Sequence, residues 1–182
     1  MKIKGGDKLE GFLNQLKNKL GKQPTLQVGF LPDAKYPDGT PVGMVAAIQN
    51  FGAPAVGIPP RPFFSNMIKD KSPDWGKLLA HRLKQVNYKG DAALGLVGDD
   101  IAGQLRQSIV DTNSPPLSPV TLMLRKMKSQ NPDLIVTGRT VGEAAKRVAA
   151  GLSYAGVSTK PLVAPGVGGG HMLASVDYNV KS

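Results

Sequence analysis

The run from Pro41 to Phe64, PVGMVAAIQNFGAPAVGIPPRPFF, is the densest concentration of apolar residues broken by residues that dictate the backbone. Met44, Val45, Ile48 and Phe51 recur at spacings of three and four, so they share one face of a short helix, Val42 to Phe51, which Gly52 ends in a left-handed conformation. Beyond it come Ala53-Pro54, Pro59-Pro60, a lone Arg61, Pro62 and the pair Phe63-Phe64. Each proline fixes φ near about −65° and lacks the N–H that a strand ladder needs. These constraints predict an extended, stiff arm or loop over residues 53–71. Such an arm loses little conformational entropy on docking, and aromatic and arginine side chains often anchor interfaces. Phe51, Arg61, Pro62, Phe63 and Phe64 are therefore the candidate subunit-interface residues. A second reading, compatible with the first, tucks both phenylalanines into the chain's own core, where Phe usually resides.

The order of elements around this run is specific. Strand Gln27-Val28-Gly29-Phe30-Leu31 is followed by a polar loop with Tyr36 and Asp38-Gly39, then by the helix closing in Asn50-Phe51-Gly52, then by Ile58-Pro59-Pro60-Arg61-Pro62-Phe63-Phe64. Further on come Gly90-Asp91, a helix to Ile109, Leu117-Ser118-Pro119 with Thr121, and Val136-Thr137-Gly138-Arg139. This order resembles the tail-completion (neck) proteins of long-tailed bacteriophages, the minor tail protein Z-like and virion morphogenesis group, over most of the chain. Two positions depart from the family pattern. Val136 stands where an acidic residue usually precedes the Thr-Gly pair, and Thr140-Val141 where a Leu usually follows it. The resemblance implies a structural virion protein of the neck, assembled in the host cytoplasm. It would form a ring, a hexamer by tail symmetry, that completes the tail and joins it to the head connector. The implied partners are other copies of itself, connector, tail-terminator or tail-tube proteins, and genomic DNA passing through the channel.

At 182 residues the chain fits one domain, 1–182. Folding at this size buries roughly 70% of the unfolded surface, so neither a disulfide nor a metal is needed for a core. Cysteine is absent, which excludes thiolate catalysis and Cys-ligated zinc and suits a reducing compartment. The charged start, Met1 to Asp7, has no apolar run behind it, and no window approaches the roughly 18 apolar residues of a membrane span. A soluble protein without a membrane partner is expected. The net charge of +10 attracts polyanions: nucleic acid, acidic protein surfaces or anionic lipid. With aromatics at 5% and no basic run interleaved with stacking residues, a single-strand binding platform is not supported.

The remaining pattern predicts an α/β (α+β) fold, a mixed, largely antiparallel sheet flanked by amphipathic helices. Asp7 caps a helix with the stripe Leu9, Phe12, Leu13, Leu16 and Leu20, ended by Gly21. Thr25 to Leu31 alternates as a strand, and Asp33 to Thr40 is an exposed loop. Ser72-Pro73-Asp74 reads as a helix start, with Trp75, Leu78, Leu79, Leu83 and Val86 on one face. Asp91 caps the longest helix, whose Leu94, Val97, Ile101, Leu105 and Ile109 form a stripe despite Gly95, Gly98 and Gly103, each unfavourable by roughly 1 kcal/mol relative to Ala. Ser118-Pro119 opens a helix with Leu122, Met123 and Met127, and Leu134-Ile135-Val136 is a short buried strand candidate. Thr140 to Glu143 matches a capping box before a helix with Val141, Ala144, Ala145 and Val148 inward, ended by Gly151. Residues 152–173 have flexible Gly/Pro-rich loop composition, and Ala174 to Val180 alternates like a strand returning to the sheet.

The pattern offers no catalytic constellation, no cofactor motif and no metal-ligand spacing. His81 and His171 are the two histidines, and neither has a carboxylate at helical spacing. Gly166 to Gly170 lacks the Lys-Ser or Lys-Thr and the helix start of a phosphate loop. Asp99 and Asp100 point about 100° apart on a helix and do not share a site. The expectation is a protein that is not an enzyme, with a hydrolase using His171 as the remote competitor. Arg125, Lys126, Lys128, Arg139, Lys146 and Arg147 are the basic residues to weigh as a cluster, either a solvated face or contacts to DNA or an acidic partner. The alternative function class is accordingly a non-specific double-stranded DNA-binding module.

Overall fold

Antiparallel pairing joins the first strand to the last. The computed structural model describes residues 10, 11, 14, 15, 24–163 and 170–181. Strand β1 (Thr25–Phe30) pairs with β2 (Val176–Lys181), Thr25 opposite Lys181 and Phe30 opposite Val176. Between them run α1 (Val42–Phe51), α2 (Phe63–Gln85), α3 (Gly90–Asp111), α4 (Pro119–Gln130), α5 (Gly138–Ala149) and the single turn α6 (His171–Ala174). The class is α+β. In β1, Leu26, Val28 and Phe30 pack on the core while Thr25 and Gln27 face water, the alternation that one covered face requires.

The covering element is α3. Ala93, Val97, Ile101, Leu105 and Ile109 are buried along it, and both strands and α2 pack against it. The helix starts at Gly90 with Lys89 at the cap position and no side-chain cap, so Asp91 lies inside the first turn rather than capping it. Gly98 is where the sheet touches down. A Cβ there would sit 2.6 Å from Tyr178 Cγ and 3.0 Å from Leu26 Cδ1, closer than carbon atoms approach. The residue that looked like a propensity defect is thus the one that lets sheet and helix meet.

Helices α2 and α3 form an antiparallel hairpin whose connection places Asn87 and Tyr88 at positive φ, 52° and 61°. Three polar ties fasten it along its length. Ser108 Oγ donates to the Phe63 carbonyl at 2.7 Å, Trp75 Nε1 donates to Gln104 Oε1 at 2.9 Å, and Arg82 grips Asp100 through Nε and Nη2 at 2.8 and 2.9 Å. The main core gathers Val42, Ala46, Phe63, Met67, Leu162, Met172 and Val176 around the α3 stripe. A second, smaller cluster of Met123, Met127 and Ala144 holds α4 to α5, with Leu134, Val148 and Tyr154 at its margin.

Several expectations change. Among the described residues the sheet has two strands, antiparallel and not mixed, and Leu134-Ile135-Val136 is no strand. A short apolar run needs a partner strand; here Ile135 and Val136 stay exposed in the loop joining α4 to α5. The arm over 53–71 does not extend. Pro54–Val56 is one 3-10 turn, Gly57 reverses the chain at φ 72°, and Ala53 and Ile58 exchange backbone hydrogen bonds of 2.8 and 3.1 Å. From Phe63 onward the segment is helical. Ser72-Pro73 therefore starts nothing: α2 begins ten residues before Pro73 and runs through it. Pro73 is exposed, so water can serve the carbonyl its missing N–H leaves over, while Met67 before it and Trp75, Leu78 and Leu79 after it pack on the same core. The capping box lies one turn earlier than expected, with Thr137 as the cap and Thr140 returning the bond, and of the inward set in α5 only Ala144 is fully buried.

Within 152–173, residues 152–163 are irregular but fastened from α4, and 171–173 are helical. Gly166, Gly168 and Gly169 lie outside the described residues, as do Asp7, Leu9, Phe12, Leu13, Leu16, Leu20 and Gly21 of the expected N-terminal helix.

Gly98→Ala should lower the unfolding free energy by about 1–3 kcal/mol, the range for overpacking a tight contact. Gly103, exposed on the same helix with open space around its Cα, is the control: Gly103→Ala should raise stability by roughly 0.5–1 kcal/mol. Urea titration of the two variants measures both.

Candidate subunit interface

The site is built on two buried polar side chains that join α1 to the start of α2. Pro62 occupies the cap position of α2 and has no side chain able to cap it. Asn50, 3% exposed and one helix earlier, does so instead: its Oδ1 accepts from the backbone N–H groups of Phe64 and Ser65 at 3.0 and 3.1 Å, and its Nδ2 donates to Ser65 Oγ at 2.8 Å. Next to it the Arg61 N–H donates to the Gln49 carbonyl at 2.7 Å. Gly52 completes the corner at φ 78°, where a Cβ would lie 2.8 Å from Pro60 N. The turn from α1 into α2 is therefore held by backbone and side-chain bonds on both sides.

Arg61 and Phe63 leave the interface set. Arg61 is 6% exposed; its Nε donates to the Pro115 carbonyl and its Nη1 to Gln49 Oε1, both at 3.1 Å. Among the described residues it pairs with no carboxylate, and burial pulls its pKa below the ordinary arginine value. Phe63 is fully buried, edge-on to Phe30 with ring centroids 6.4 Å apart. Phe64 is half-buried beside it, Pro62 is exposed, and Phe51 is 72% exposed. The side of α1 that faces the core carries Val42, Ala46 and Asn50. Of the stripe read from the sequence, Val45 and Ile48 are half-buried and Met44 is 52% exposed. Val56, 71% exposed on the 3-10 turn that follows α1, is a further uncharged apolar side chain in solvent and carried no signal of its own in the sequence.

The basic cluster also divides. Arg125 Nη1 donates to the carbonyls of Ser158 and Lys160 at 2.7 and 2.9 Å, and Nη2 to that of Pro161 at 3.3 Å. Burial, and then the nearby Arg61 charge, lower its pKa. Lys126 Nζ donates to the Ala155 carbonyl at 3.0 Å, and Arg147 pairs with Glu143 one turn away. Lys128, Arg139 and Lys146 are exposed. On α5, Arg139 and Lys146 are seven residues apart and share the face opposite Ala144. Arg125 and Lys126 are thus fasteners of the 152–163 loop, a role that no spacing in the sequence marks.

Asp99 is exposed near the Tyr178 hydroxyl, whereas Asp100 is tied to Arg82. His81 is exposed. His171 donates from Nε2 to the Lys35 carbonyl at 2.7 Å and lies against the Tyr36 ring, centroids 4.8 Å apart. Among the described residues no group of three His, Cys, Asp or Glu side chains is placed to hold a metal, and no helix is long and apolar enough to cross a membrane. Clefts among the described residues include two on the surface. One of about 150 Å³ lies between α1 and α6, lined by Tyr36, Val45, Gln49, Leu162 and Met172. The other, about 520 Å³, lies where α5 ends, lined by Pro119, Val148, Leu152, Tyr154 and Val157. Comparison of the chain with family models, characterised proteins and solved structures finds no match.

The geometry separates folding residues from surface ones. Phe63→Ala should lower stability by about 3–5 kcal/mol and Asn50→Ala by about 1–2 kcal/mol through the lost cap. Phe51→Ala should stay within roughly 0.5 kcal/mol of the unsubstituted chain. Equal losses for Phe51→Ala and Phe63→Ala in urea melts would contradict this division.

Proposed function

We propose that this chain is a structural, non-catalytic subunit of a bacteriophage neck, forming a closed ring, a hexamer, that completes the tail and joins it to the head connector. The observation that carries the reading is an apolar edge, Met44, Phe51 and Val56, left in solvent on a corner that Asn50, Gly52 and Arg61 hold rigid. Large exposed side chains on a preorganised frame are what a docking surface needs, because little entropy is lost when they are covered. The residue order from the β1 strand through Pro59-Pro60-Arg61-Pro62-Phe63-Phe64, similar to tail-completion proteins, supplies the particular assembly. The partners are further copies of the chain and the connector, terminator or tube proteins above and below it, in the virion.

Phe51→Ala together with Val56→Ala should give folded protein and tails that fail to join heads, seen as separate heads and tails by electron microscopy. Normal particles from that double variant would overturn the proposal.

A second reading, non-specific binding of double-stranded DNA, is favoured by Lys128, Arg139 and Lys146, which are exposed and outside the ion pairs among the described residues. Such contacts are sequence-blind and weaken steeply with salt. Replacing all three by Ala should reduce the salt dependence of retardation by roughly three phosphate contacts. An unchanged slope would remove these three side chains as DNA contacts, and with them the reading they favour.

A further inference from the structure

Copies of a chain with net charge +10 repel one another wherever charged faces meet. Two surfaces escape this. From Gly39 to Pro60 no residue is charged, the longest such run in the sequence, and it carries the exposed Met44, Phe51 and Val56. A second uncharged run, Val148 to Thr159, supplies nearly all of the wall of the 520 Å³ cleft, with Pro119 closing it. Leu152 in that wall is itself exposed, and Lys126 beside it is tied to the wall's own Ala155 carbonyl. The volume lies within the roughly 300–1,000 Å³ of pockets that enclose a small molecule, ample for a benzyl and an isopropyl group. Edge and cleft sit on different elements of one chain, so a contact that pairs them is heterologous, and heterologous contacts propagate around a ring.

We propose that the Phe51–Val56 edge of one copy seats in the Leu152–Tyr154 cleft of the next. The proposal rests on the ring reading above and adds its two faces. Burial of Phe51 against Leu152 and Tyr154 removes apolar surface from water on both copies, and the three side chains that meet are uncharged.

The absence of cysteine makes the test direct, since introduced thiols are the only ones present. Chains carrying Phe51→Cys mixed with chains carrying Leu152→Cys should form a mixed disulfide under mild oxidation, and neither variant alone should cross-link. Chains carrying both substitutions should give a ladder of multimers in a denaturing gel. Val56→Asp should weaken self-association measured by sedimentation roughly thirtyfold, the effect of an interface anchor. Three outcomes overturn the contact: a homodisulfide of either single variant in preference to the mixed one, a monomer with no mixed disulfide at any concentration, or a disulfide from Phe51→Cys to a different virion protein. The ring reading is tested separately on particles. Incorporation of the doubly substituted chain without the cross-link overturns this contact and leaves the reading. Absence of the unsubstituted chain from particles, with the cross-link formed by the isolated variants, overturns the reading and leaves the contact.

Discussion

A helix whose first residues are proline and two phenylalanines has nothing of its own with which to satisfy its leading N–H groups. Asn50 solves this for α2 from the end of the preceding helix, accepting from two successive backbone donors while its amide nitrogen is bound by Ser65. The bond does more than cap. It fixes where α2 begins relative to α1, and so puts Phe63 beneath β1 against Phe30 and lets the Phe63 carbonyl accept from Ser108 on α3. Leaving these two part-buried donors without a partner would be unfavourable by up to about 1–3 kcal/mol each, which accounts for a polar residue on the core side of α1 beside Val42 and Ala46.

The same economy of charge runs through the loops. Arg61, Arg125 and Lys160 donate to the main-chain carbonyls of Pro115, Ser158, Lys160, Pro161 and Val110, with no carboxylate among their partners. Irregular backbone at the margin of a core has carbonyls that no ladder serves, and a guanidinium with five donors can serve several at once. Part of the positive charge that composition assigns to the surface is therefore spent inside, holding 112–118 and 152–163 to the helices. What remains for an external partner is spread over exposed lysines of α2, the end of α4 and α5.

Helix α1 shows how burial and function divide one element. Its core side is made of Val42, Ala46 and Asn50, small enough to let the helix approach β1 and α2, while Met44 and Phe51 point into solvent and Val45 and Ile48 are half-buried. The apolar periodicity is genuine, but it marks the outward face. An exposed apolar edge next to a corner braced by hydrogen bonds is the feature from which the proposed ring contact is drawn.

Chain order, the helices at Val42–Phe51, Gly90–Asp111 and Pro119–Gln130, and the returning strand at Val176–Lys181 were legible because each rests on local chemistry: apolar spacing, the Ser118 cap, alternation. The α+β class follows from them. Other features were decided only by contacts distant in sequence. Prolines at 54, 59, 60 and 62 limit φ but do not choose between an extended arm and a tight turn; the Ala53–Ile58 bridge and the Asn50 cap make that choice. Pro73 reads as a helix start locally and is overridden by packing on both sides of it. Residue types alone could nominate Phe51, Arg61, Phe63 and Phe64 together, since aromatic and arginine side chains suit interfaces and interiors alike. Which of them faces water depends on where α3 and β1 lie, and that is a property of the folded chain, not of the run in which those residues occur.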